Sequence, residues 1–152
     1  MKANASTPAK DHQHLVLDQK GLDAAAKSLD DGAVTPAYGP WRDDIVKLLN
    51  DALATELVCV LRYKRHYFMA SGIKASVAAS EFLEHANQEA EHADKLAERI
   101  VPLGGEPDFN PDNLSKNSHA QYVAGSTLKE MVLEDLVAER IAIDSYREII
   151  QY

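Results

Sequence analysis

The sequence predicts an all-α protein, an up-down bundle of long helices. Three observations carry that prediction. Two long stretches, Trp41 to Ser71 and Lys74 to Val101, contain neither proline nor glycine. Within them, and again after Thr127, apolar residues recur every three or four positions, the spacing that places them on one face of a helix. No stretch alternates polar and apolar residues with period two, the signature of a half-buried strand.

Composition sets the outer limits. The 152 residues are 45% hydrophobic and 26% charged, values of a folded globular chain rather than a disordered one. Sixteen Lys and Arg stand against 24 Asp and Glu, a net charge of −8, which excludes general affinity for nucleic acid and suits a protein that gathers cations. The single cysteine, Cys59, rules out an internal disulfide framework. No apolar run reaches the ~18–20 residues of a membrane span, and the N-terminus lacks the apolar centre of a secretory signal. A soluble protein of the reducing cytoplasm, with no membrane partner, is the expectation.

Residues 1–40 form an N-terminal arm, expected to be partly disordered. They carry Pro8, Pro36 and Pro40 and no long apolar stripe. Leu22 to Leu29 is the one predicted helix there, stopped by Asp30, Asp31 and Gly32. Four lysines and five aspartates make the arm a poor partner for DNA.

The helical domain is expected over 41–152, with helices at about 41–71, 74–101 and 127–152. Pro40 suits a helix start, and Asp43 and Asp44 suit the positive end of the helix dipole. Ile45, Leu49, Ala52, Cys59 and Tyr63 form the first stripe, widened by Leu48, Leu53 and Val60. Ala78, Phe82, Ala93, Leu96 and Ile100 form the second, which Pro102 and Gly104–Gly105 close. The third opens with Ser126 or Thr127 as cap and Glu130 in its first turn, and runs through Leu128, Val132, Leu136, Ile143, Tyr146 and Ile150. A short link makes the first two helices an antiparallel hairpin. The polar residues 104–126 read as a long crossover before the third.

Each stripe carries charge where a core residue is expected. Leu49, Ala52, Glu56, Cys59 and Tyr63 step by three and four, so Glu56 points at the bundle axis. Phe82, His85, Glu89, His92 and Leu96 do the same, and Glu89 with His92 at i, i+3 can touch one cation together. Val132, Leu136, Glu139 and Ile143 turn Glu139 inward. Three buried carboxylates without cationic partners do not coexist cheaply, and bound metal resolves the conflict. Carboxylates with an imidazole suit iron or manganese. His85 reads as a core-edge histidine rather than an accessory ligand, Cys59 as a small buried hydrophobe, and Arg62 to Tyr67 (RYKRHY) as a solvated face.

These segments, DALATELVCVLRYKRHYFMASG, EFLEHANQEAEHADKLAERIVPLGGEP and MVLEDLVAERIAIDSYREI, resemble the first three helices of the ferritin-like superfamily of bacterioferritin, ferritin and Dps. The resemblance covers about residues 41–152. It implies Glu56, Glu89, His92 and Glu139 as metal ligands, with Glu89 bridging two metals and Tyr63 beside them as a further catalytic residue. It also implies a di-iron centre that binds and oxidises Fe²⁺ with O₂ or peroxide, a ferroxidase activity, and iron storage in a homo-oligomeric shell of twelve or twenty-four subunits. Two departures stand out. Ala90 occupies the position of the bacterioferritin haem-ligand methionine, so haem is not expected unless Met69 or Met131 serves at a subunit interface. The family's fourth helix is expected to be missing from this chain, which leaves the second metal with Glu89 and Glu139; His12 and His14 in the arm are poor substitutes. The other readings are a peroxide-detoxifying di-metal protein of manganese-catalase or Dps type, or a helical shell protein without an active site.

Overall fold

The computed structural model describes residues 18–27, 41–72 and 75–151. Two compact units separate along the chain, Met1–Ala37 and Tyr38–Tyr152. In the first, α1 spans Gln19–Ala25 and is capped by Asp18, whose side chain accepts the Lys20 amide at 3.1 Å. That cap starts the helix three residues before the expected Leu22. Leu29, the remaining turn residues Asp30 to Gly32, and His12 and His14 lie outside the described residues.

The second unit is a helical bundle. Helix α2 spans Trp41–Met69, 29 residues or about 44 Å, and α3 spans Ala75–Ile100. They form the antiparallel hairpin the sequence predicts, residues early in α2 meeting residues late in α3. Leu53 packs with Ala93 and Ile100 at one end, and Cys59 and Tyr63 pack with Phe82 and Ala86 at the other. A single 3-10 turn, Val101–Leu103, closes α3. Gly104 follows at φ 74°, and Gly105 lies so close to α2 that a Cβ there would come within 2.6 Å of Val46 Cγ1. No described helix is long and apolar enough to cross a membrane.

The long connection is ordered against α2 by side chains of α2 itself. Asn50 donates to the Glu106 carbonyl at 3.1 Å and accepts the Asp108 amide at 2.8 Å. Thr55 Oγ1 accepts the His119 amide at 2.9 Å, and Arg62 donates to the Gln121 carbonyl at 3.0 Å. Arg65 reaches the carbonyls of Ala124 and Gly125. Polar backbone that belongs to neither helix nor sheet thereby finds its partners. The connection also holds a helix the sequence reading passed over, α4 at Pro111–Asn117. Asn110 caps it, Pro111 fits its first position, and Leu114 buries against Ala54 and Val58.

Helix α5 spans Leu128–Gln151. Thr127 Oγ1 accepts the Glu130 amide at 3.2 Å while Glu130 accepts the amides of Ser126 and Thr127, a reciprocal cap. The predicted stripe is buried only in part, at Leu128, which packs on the core, and at Tyr146. Met131, Asp135 and Ala138 pack inward, whereas Val132, Leu136, Ile143 and Ile150 are 38–83% exposed. The buried face lies about a quarter-turn from the expected stripe, because α5 meets α2 through Asp135 and Met131.

That contact also corrects the reading of Arg62 to Tyr67 as a solvated face. Arg62 and His66 are buried, and both bind Asp135: Arg62 Nε donates to Oδ1 at 3.1 Å, and His66 Nδ1 lies 2.9 Å from Oδ2. His66 Nε2 lies 2.9 Å from the Ala124 carbonyl. Four residues apart, Arg62 and His66 share one helix face, and it turns toward α5 rather than toward water.

Candidate metal centre

Two helices contribute to one cluster. Glu56 comes from the middle of α2, where its neighbours Ala52, Leu53 and Cys59 are core residues and hold it 4% exposed. Glu89 and His92 come from one face of α3. One ligand atom from each of Glu56, Glu89 and His92 lies within 4.8 Å of the others. His92 Nδ1 is 2.9 Å from Glu89 Oε2 and 3.7 Å from Glu56 Oε2. Glu56 and Glu89 are buried, while half of the His92 side chain faces solvent and leaves a way in.

Glu139 stands beside this group rather than inside it. Its Oε1 accepts the Tyr63 phenol at 2.5 Å and faces His85 Nδ1 at 3.4 Å, with 40% of the side chain exposed. His85 is partly exposed, lies against the Tyr63 ring at 5.2 Å, and forms with Tyr63, Phe82, Leu136 and Glu139 the wall of a cavity of about 290 Å³. Tyr146, expected only as an apolar stripe residue, donates its phenol to Glu56 Oε1. Ala90 is partly buried, Met69 exposed and Met131 buried in the core.

The electrostatics are those of a site short of positive charge. Burial, then the hydrogen bond and charge of Glu56, push the Glu89 carboxyl up from 4.5 to about 9. The nearest guanidinium, Arg62, is committed to Asp135. Among the described residues, Glu56 and Glu89 form ion pairs with His92 alone. Burial raises both tyrosine phenols and the neighbouring carboxylates raise them further, so Tyr63 and Tyr146 remain donors. Burial likewise pushes the Cys59 thiol up to about 12, which leaves it an unreactive thiol beside the cluster. Two buried carboxylates and an imidazole converging on one point fit a divalent cation, which supplies the charge the protein withholds.

Of the residues the sequence singles out, the structure brings Glu56, Glu89 and His92 together and sets Glu139 and Tyr63 beside them; the contacts of Tyr146, Arg62, His66 and Asp135 were not anticipated. A signal for Tyr146 was present: it follows Glu139 by seven residues, as Tyr63 follows Glu56.

An all-helical bundle with a carboxylate and imidazole cluster between its helices is the architecture of the ferritin-like proteins. Residues 46–152 match the family described as the ferritin-like domain, and the chain belongs to that family. It is 35% identical over 104 residues to the bacterioferritin of Brucella melitensis, covering 68% of this chain and 60% of that protein. With the bacterioferritin of Rhodobacter capsulatus it shares 31% over 108 residues, covering 71% and 63%. The chain thus spans about 60% of the length of these relatives. Among solved structures, the bacterioferritin-related protein of Bacteroides fragilis, a dodecameric thioferritin, superposes with a TM-score of 0.70 at 26% identity, over 73% of this chain and 67% of that one. Dps from Thermosynechococcus elongatus shares the fold, with a TM-score of 0.71 at 22% identity over 76% of this chain and 74% of that one.

Proposed function

We propose that this protein takes up Fe²⁺ at Glu56, Glu89, His92 and Glu139, oxidises it, and stores iron as part of a homo-oligomeric shell. The observation that carries the proposal is the convergence of Glu56, Glu89 and His92 within 4.8 Å, with no Arg or Lys paired to the two buried carboxylates among the described residues. Family membership and the bacterioferritin relatives support iron as the cargo.

In this reading Fe²⁺ is the substrate. Glu56, Glu89 and His92 receive the first ion, and Glu89 with Glu139 the second. Binding displaces the proton that Glu89 holds, since only the carboxylate is a ligand. Oxygen ligands stabilise Fe³⁺ over Fe²⁺, which favours electron loss. Two Fe²⁺ ions give two electrons to O₂, which leaves with two protons as hydrogen peroxide. The half-open His92 gives the ions a path from solvent. Tyr63 anchors Glu139 beside the pair. Ala90, next to Glu89, offers no haem ligand, and the proposal includes no haem. The exposed apolar residues of α5, among them Leu133, Leu136 and Ile143, support burial of this face in an assembly. A division into a 1–40 arm and a 41–152 helical domain is part of the proposal, and the acidic excess of the chain is proposed to draw cations inward.

The test is stopped-flow oxidation of Fe²⁺ by the unsubstituted protein and by Glu89→Ala. The expected loss is tenfold or more in the rapid phase, about 1.4 kcal/mol of barrier. Folding should survive, because the substitution removes a buried acid whose ionisation beside Glu56 is unfavourable. Oxidation at the unsubstituted rate would reduce Glu89 to an ordinary buried acid.

A further inference from the structure

We propose that Tyr146 is a positioning residue of the metal centre, holding Glu56 Oε1 so that Glu56 offers a metal only its other oxygen. The inference rests on the metal-binding reading of Glu56, Glu89 and His92, and extends it to a residue on a different helix.

The two oxygens of Glu56 have different surroundings. Oε2 faces the cluster, 3.7 Å from His92 Nδ1, which itself lies 2.9 Å from Glu89. Oε1 turns the other way, across to α5, and accepts the Tyr146 phenol. Glu56 is only 4% exposed, so little water reaches it to replace that donor. The bond has a counterpart. Tyr63 on α2 donates to Glu139 Oε1 on α5 at 2.5 Å. Each tyrosine follows the carboxylate of its own helix by seven residues, about two turns, and binds the carboxylate of the other helix. Because α2 and α5 run antiparallel, the two bonds cross in opposite directions and bracket the centre. The spacing of Glu56 and Glu139 is therefore set by two rigid rings before any cation arrives, an outer layer that orients the ligands.

Packing alone would need only the ring of Tyr146; positioning needs its hydroxyl. Cobalt(II) titration separates the two, because its visible absorption reports the number and kind of ligands. The probe is Co²⁺ added to the unsubstituted protein, to Tyr146→Phe, and to Tyr122→Phe, which alters an exposed tyrosine away from the centre. Tyr146→Phe should bind Co²⁺ at least about tenfold more weakly, with a changed visible band as Oε1 becomes free to coordinate. Tyr122→Phe should match the unsubstituted protein. A Tyr146→Phe protein with unchanged band and affinity overturns the inference and leaves the metal reading standing. Failure of the unsubstituted protein to bind Co²⁺ overturns the metal reading and this inference with it. Should Tyr146→Phe not fold, Co²⁺ loading of the unsubstituted protein decides: the tyrosine near-ultraviolet absorption should shift, and an unshifted spectrum contradicts the inference.

Discussion

Glu89 holds its proton through the neutral range because burial disfavours its charged form, and the hydrogen bond and charge of Glu56 disfavour it further. The unfolded chain gives that proton up near 4.5, the folded chain near 9. Between those values the folded state binds more protons than the unfolded one, so this group makes stability fall as pH rises, and the effect levels off above 9. The slope from one such group is at most about 1.4 kcal/mol per pH unit. Metal reverses the effect, since a cation takes the place of the proton. Thermal unfolding from pH 5 to pH 9, roughly the window of the shift, should show a steeper loss in the metal-free protein than in Glu89→Gln, which has no proton to lose. Equal slopes in the two proteins would refute the raised ionisation.

At the scale of the element, the question is what fixes α5 on α2. Much of its apolar face is exposed, and its inward contacts include Asp135 between Arg62 and His66. Asp135→Ala leaves the buried Arg62 guanidinium and the His66 ring without their carboxylate, and breaking a buried pair from one side costs about 3–5 kcal/mol. Urea unfolding should register that loss, against an expectation of under about 0.5 kcal/mol for Asp144→Ala on the exposed face of the same helix. Equal effects would show that the network does not hold α5.

The same helix shows how far sequence could be read. The long helices were legible because uninterrupted apolar periodicity survives any tertiary arrangement, and the predicted ends fall within two residues of the observed ones. The phase of α5 was not legible. Its sequence carries two faces, one apolar through Leu136 and Ile143 and one mixed through Met131, Asp135 and Ala138, and hydropathy favours the wrong one. Asp135 became a core residue only because Arg62 and His66, 73 and 69 positions away, meet it. Helix α4 escaped notice for a different reason. Its signals, Asn110, Pro111 and Asp112, were present, but seven residues carry too little periodicity to separate a helix from a loop.

For the whole molecule, site and fold depend on one another. The acids that cannot all ionise together lie where α2, α3 and α5 converge, so the bundle keeps Glu89 protonated at the place where a cation is proposed to bind. The acidic excess of the chain acts in the same direction, raising the local concentration of cations around the site. Glu56 and Glu89 stand out from helical spacing because side chains that converge from helix faces must obey the helix repeat. Tyr146 and Asp135 act across helices, through contacts no local spacing encodes.

Under the proposed function, Glu56, Glu89 and His92 hold iron at the point where they converge. Anomalous X-ray scattering at the iron edge, from crystals of the protein soaked in Fe²⁺ without oxygen, tests it most directly. The expected result is an iron position bonded to a carboxylate oxygen of Glu56, a carboxylate oxygen of Glu89 and a ring nitrogen of His92, with Tyr146 still donating to Glu56. Iron bound elsewhere, with these three side chains unliganded, would contradict it.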